Sequence, residues 1–128
     1  MRAAVLLLLL GCANDPVVVV RSPEGVRRAR YHVEVARTSS ERMAGLRGVD
    51  SLAADEGLWI EFPVEDELCI VNSGVSFGID VAWVRAGRVV AVESFGADEP
   101  DPQCFIASEV LEVAAGSPVQ IGDSASLR

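Results

Sequence analysis

After its first dozen positions the chain is a succession of short apolar runs separated by turn residues, the pattern of an all-β domain. Tyr31, Val33 and Val35 alternate with His32, Glu34 and Ala36, which predicts a half-buried strand. Thr38-Ser39-Ser40-Glu41 then has the form of a capping box, opening a helix that Gly45 and Gly48 keep short and that is expected to place Met43 and Leu46 on one face. Leu58, Ile60 and Phe62 alternate with Trp59 and Glu61 up to Pro63, and Leu68 and Ile70 alternate with Cys69 and Val71, giving two further strands. Between residues 79 and 93 two β-rich runs flank Ala86-Gly87, where glycine allows a tight hairpin turn. The last third reads as a strand over 110–114 before Gly116, an extended Val119-Gln120-Ile121, a Gly122-Asp123 turn and a terminal strand to Leu127. The expected fold is all-β: a small sandwich or barrel-like domain of short, mostly antiparallel strands with one short helix.

The N-terminus has a different character. Met1-Arg2 precedes eight apolar residues and Gly11-Cys12, the order of a secretory signal and far short of the roughly 20 apolar residues that span a bilayer. Leu9-Leu10-Gly11-Cys12 resembles the lipobox of bacterial lipoproteins. That resemblance implies a signal peptide over 1–11 and lipidation of Cys12, whose acyl chains anchor the protein to the membrane. Ala13 in place of aspartate favours the outer membrane, by the same resemblance, with the domain facing the periplasm. Residues 12–30, rich in turn formers and arginine, are expected to form a lipidated tether with 17–20 as a candidate edge strand, and 31–128 the β domain.

With 128 residues, half of them hydrophobic, the chain has room for one core. A net charge of -8 excludes a nucleic-acid partner on electrostatic grounds. All 11 basic residues are arginine, so lysine chemistry is absent. His32 is the sole histidine and falls on the polar face of its strand, where it reads as a solvated or hydrogen-bonded surface residue rather than a catalytic base, and a multi-histidine metal site cannot be assembled within one chain. The acids between Asp50 and Glu67 lack calcium-loop spacing and read as solvated charge, and no cofactor motif is present. Trp59, Trp83 and Phe77 are core residues first and pocket-lining candidates second. Once Cys12 is assigned to lipid, Cys69 and Cys104 remain. In an oxidising envelope two such thiols are expected to pair, the alternative being two free buried cysteines.

With the elements laid out, residues 31–123 resemble the bacterial and archaeal domain of unknown function family 192. The resemblance is carried by Val33-Glu34-Val35-Ala36-Arg37-Thr38, Glu41-Arg42 leading to Gly45-Leu46, and Asp50-Ser51-Leu52 with Gly57-Leu58-Trp59-Ile60-Glu61-Phe62. It continues through Val75-Ser76-Phe77-Gly78-Ile79-Asp80-Val81-Ala82-Trp83-Val84, Gly87-Arg88-Val89-Val90, Val110-Leu111-Glu112-Val113 with Gly116, and Gly122-Asp123. It implies an all-β fold with a short helix, frequent secretion or lipid anchoring, and no established reaction. The chain departs from the family pattern at several points. The methionine and asparagine of the family's Met-x-Asn signature are replaced by Asn72 and Gly74, its proline before Leu-Asp by Gly78, and its methionine after Gly-Leu by Arg47.

Two functions of different class follow. The first is an envelope lipoprotein whose non-catalytic β domain binds a protein, glycan or small molecule, with Asp80, Trp83, Trp59 and Asn72 as candidate ligand or structural residues. The second is an enzyme running acid-base chemistry on an envelope glycan or small molecule through Asp80 paired with Glu61, Glu93 or Glu112.

Overall fold

The structure, a computed structural model, describes residues 15–128. Cys12, the signal segment and Ala13 lie outside the described residues. Seven strands and one helix follow in the order β1 (Val17–Arg21), β2 (Arg27–Ala36), α1 (Ser39–Ala44), β3 (Glu56–Ile70), β4 (Ile79–Arg85), β5 (Arg88–Phe95), β6 (Gln103–Ala114) and β7 (Ser124–Leu127). They close into a barrel with strand order β1-β2-β3-β6-β4-β5-β7. Of the two architectures expected from sequence, the barrel is the one formed.

The barrel begins at Val17, which corrects the expected 12–30 tether. Val18 and Val20 are fully buried, and β1 pairs with both β2 and β7, so the valine run is the strand that closes the barrel. Four consecutive valines favour the extended backbone, and with neighbours on both sides this strand has no free edge.

One pairing is parallel, β2 with β3. Parallel neighbours cannot be joined by a tight turn. The chain therefore crosses over through α1 and residues 45–55, and this crossover lies against the outside of the sheet. The capping box forms as expected: Glu41 N–H donates to Thr38 Oγ1 at 3.1 Å, and Thr38 N–H to Glu41 Oε1 at 3.0 Å. The helix ends at Gly45 (φ 52°, ψ -130°), a conformation that strongly favours glycine. Leu46 therefore lies past the helix end, buried at 4% exposure, whereas Met43 stands out at 75%; the shared face expected for them does not exist.

Pro63 does not separate two strands. β3 runs through it because the register with β6 slips between Glu61 and Asp66, and in that bulge a residue without an N–H costs no ladder bond. Likewise β6 is longer than the apolar run 110–114 suggests. Beyond the bulge the two strands continue as an arm, where Cys69 and Cys104 stand opposite each other with Cα atoms 4.0 Å apart and form the disulfide. The 79–93 hairpin is present, with positive φ at both Ala86 and Gly87. Residues 119–121 are not a strand: Gln120 and Asp123 bond each other in a turn instead.

Two apolar clusters lie on opposite faces of the sheet. One takes Val18, Val20, Tyr31, Val33, Trp59, Ala82, Val84, Val89, Leu111, Val113 and Ala125, residues from all seven strands, and is the barrel interior. The other includes Leu58, Ile60, Ile79, Val81, Trp83 and Val110 with Leu46, Val49 and Val75 from the connecting segments, and is the outer face under its cover. This is why β4 is buried along six of its seven residues: it is packed on both sides.

Candidate ligand site

Strand alternation decides which polar side chains meet. Asp80 shares its face with its β6 partner Val113 and points into the end of the barrel interior, away from Ile79 and Val81. There it accepts hydrogen bonds from Ser117 N–H (2.8 Å), Gly116 N–H (3.0 Å) and Ser94 Oγ (2.7 Å), tying the loop after β6 to the barrel end. Tyr31 sits nearby, its phenol pKa raised by burial against the opposing effect of its bond to Ser117, with Asp80 adding to the rise. Asp80 is thus a backbone anchor.

Glu112 faces the other way. Its β4 partner is Val81, so it lies on the outer face beneath the α1 crossover, and it does not converge with Asp80. Glu93 also partners Val81 and so starts on that outer face, but fully buried Val81 stands between the two acids. Glu61 is held by Arg37 at 2.8 Å and Trp59 Nε1 at 3.2 Å. None of these acids makes a pair with Asp80.

The two tryptophans are likewise separated. Trp83 is fully buried on the outer face, donates Nε1–H to Leu68 O at 2.8 Å, and meets Phe105 edge-on with ring centres 4.7 Å apart. Trp59 is in the interior. They line no common pocket, and Phe77 packs at the margin of the outer cluster. Burial of such rings is worth about 1.5–3 kcal/mol each. His32 is half-buried with Nδ1 unpartnered, rather than solvated. Among the described residues no three His, Cys, Asp or Glu side chains come together as a metal site.

A concave feature that brings buried polar groups together is a cavity of about 90 Å³ between the end of α1, residues 70–75 and the outer face of the barrel. Glu112, Ile60 and Ile70 contribute from the sheet, Leu46 from the crossover and Val75 from the segment opposite. Glu112 is 5% exposed, and no group among the described residues hydrogen-bonds its carboxylate. Burial therefore raises its pKa from 4.5 to about 7, against a smaller lowering by Arg47. Two glycines lie close to this residue. A Cβ on Gly57 would lie 2.8 Å from Glu112 O, so only glycine lets β3 approach β6 this closely, and Gly45 passes over the carboxylate with its would-be Cβ 4.0 Å from Oε1.

Asn72 lines the same cavity at 1% exposure. Its Nδ2 donates to Phe77 O (3.0 Å) and Gly96 O (2.9 Å), which fixes the amide orientation and leaves Oδ1 buried without a partner. Arg47 closes the rim: Nε donates to Ser73 O at 3.1 Å, and a second guanidinium nitrogen to Met43 O, so the side chain clasps the two walls. It passes over Gly74, where a Cβ would lie 3.3 Å from Nε. Arg47 and Asn72, two of the positions at which the sequence departs from the family pattern, thus meet at one cavity, and a third, Gly74, lies against the Arg47 side chain. Of the four candidate residues read from sequence, Asn72 lines this cavity, and Asp80, Trp83 and Trp59 lie elsewhere in the barrel. Arg47 was legible as a departure, and Glu112 as an acid in the apolar run Val110-Leu111-Glu112-Val113.

Comparison with known proteins adds the following. The model of the family DUF192, described as an uncharacterised ACR, matches residues 19–125. No curated protein matches the chain in sequence. A crystal structure of a protein of unknown function from Novosphingobium aromaticivorans is similar at TM-score 0.79 and 23% identity, covering 86% of this chain and 83% of that one. A putative transcription regulator from Sinorhizobium meliloti is similar at TM-score 0.81 and 20% identity, covering 87% and 92%. At these identities the likeness is one of fold.

Proposed function

The chain belongs to the uncharacterised family DUF192, and we propose that it is an envelope lipoprotein whose barrel serves as a non-catalytic binding module, with its ligand site in the cavity beneath α1. The observation that carries the binding role is the nearly buried Glu112 carboxyl, which among the described residues receives no hydrogen bond, beside an apolar floor. Ligand pockets are mostly apolar with a few placed polar groups of this kind. Among the described residues Ser73, the hydroxyl in the cavity lining, makes no hydrogen bond to Glu112, the acid there that could serve as its base. The envelope location is supported by the order Leu9-Leu10-Gly11-Cys12 and by the Cys69–Cys104 disulfide, since such bonds persist in oxidising compartments.

Two measurements test the proposal. Intact mass of the full-length gene product extracted from membranes is expected to show a chain beginning at Cys12 with acyl chains added, and Cys12→Ser to abolish both the processing and the acyl mass; an unacylated parent chain contradicts the anchor. For the binding role, methyl resonances of Leu46, Ile60, Ile70 and Val75 are expected to shift together and saturably with at least one member of a set of small amines, amides and carboxylates. Methyls unmoved by every member contradict it.

A further inference from the structure

Resting on the cavity reading above, we infer that the cavity accepts a primary ammonium group, with the Glu112 carboxylate as its counter-ion. Size, polarity and the commitments of the surrounding cations each narrow the choice. At about 90 Å³ the cavity has room for the end group of a small molecule. Glu112 and Asn72 Oδ1 are both acceptors; among the described residues none donates to the Glu112 carboxylate, and Asn72 Oδ1 is buried without a partner. An entering carboxylate or phosphate would meet acceptors and a like charge. A donor is required.

The charged groups facing Glu112 around the cavity are Arg42 and Arg47, from α1 and the turn after it. The lining from β3 is Ile60, and residues 70–75 add Ile70, Val71, Asn72, Ser73 and Val75, none titratable. The β4 partner is Val81. Arg47 is bound to Ser73 O and Met43 O. Arg42 is bound to Arg37 O, Glu61 O and Ser39 Oγ. Both guanidinium groups therefore serve the rim, and neither hydrogen-bonds the acid. An ammonium end supplies the charge that lets Glu112 ionise in place, while its first methylenes rest on Ile60, Ile70 and Val75. A neutral amide supplies donors but no charge. Arg42 also lines a separate, shallower depression of about 210 Å³ with Arg37, Glu61, Phe62 and Pro63.

The test is titration of the full-length chain in detergent with ethylamine, with alanine as a zwitterionic amine and with propionamide as a neutral isostere, followed by the cavity methyls. Ethylamine is expected to bind, with affinity rising about tenfold per pH unit below about pH 7 as Glu112 ionises, and to lose roughly tenfold or more in Glu112→Gln. Because the neutral glutamine keeps the shape of the site, unchanged amine binding in that variant overturns the assignment. Alanine binding more tightly than ethylamine supports the ammonium group and adds a carboxylate contact at the arginine rim; ethylamine alone binding supports a simple amine end. If propionamide binds as well as the amines, the cavity remains a ligand site and the ammonium assignment fails. If no probe moves the methyls, the binding role fails with it.

Discussion

Glu112→Gln removes an ionisable group and keeps its shape, and its effect on stability can be worked from burial. The carboxyl titrates near 4.5 when the chain is unfolded and near 7 in the folded barrel. Below about pH 4.5 both states carry the proton and the group is neutral in each. As pH rises through the interval up to about 7 the unfolded chain loses its proton first, so the unfolded state is favoured progressively. Above it both are ionised, and at about 1.4 kcal/mol per pH unit the buried charge has cost about 3 kcal/mol. The glutamine variant is therefore expected to match the parent near pH 4 and to be more stable by about 3 kcal/mol near pH 8. Urea unfolding at several pH values, with the slope m checked for constancy, measures this directly. A variant as stable as the parent at both ends, or less stable at about pH 8, would refute the claim that Glu112 is buried without compensation.

Other expectations follow from neighbouring contacts. Arg47→Gln withdraws the one charge that lowers the Glu112 pKa, so its carbon-detected titration midpoint should rise. Asp80→Ala leaves Gly116 and Ser117 N–H without their acceptor and should lower stability by about 1–3 kcal/mol in thermal or urea melts; an unchanged melt would contradict its role as an anchor. Gly57→Ala places a Cβ against the β6 backbone and should destabilise the barrel by about 1–3 kcal/mol, measured the same way. Replacing Cys69 and Cys104 together by alanine opens a crosslink between residues 35 apart, which chain entropy values at about 3–4 kcal/mol, read as a lower urea midpoint.

The parts of the molecule legible in the sequence were those governed locally. The 79–93 hairpin follows from Ala86-Gly87, and the start of α1 from Thr38 and Glu41, because both depend on a few adjacent residues. What was not legible depends on distant partners. Val17 to Val20 resemble any apolar run until β7 supplies the second neighbour that makes them the closing strand. Pro63 reads as a strand end, and only the slip against β6 shows that the missing N–H falls in a bulge. The parallel β2–β3 pair has no short-range signal at all. For the site, alternation placed Asp80 away from Ile79 and Val81, but its partners lie beyond β6, and the opposed faces of Asp80 and Glu112 depend on the β4–β6 register. Arg47 and Asn72 stood out individually; the crossover brings them to one cavity, with Gly74 beside Arg47.

The most direct test of the binding site is the carbon-detected titration of the Glu112 side-chain carboxyl in the full-length chain, with and without ethylamine. A midpoint of about 7 in the free protein, moving toward lower pH as the amine is added, is the expected result. A midpoint near 4.5 that ignores the amine would mean that Glu112 is already satisfied by solvent or by its neighbours, and that the cavity holds no counter-ion for a ligand.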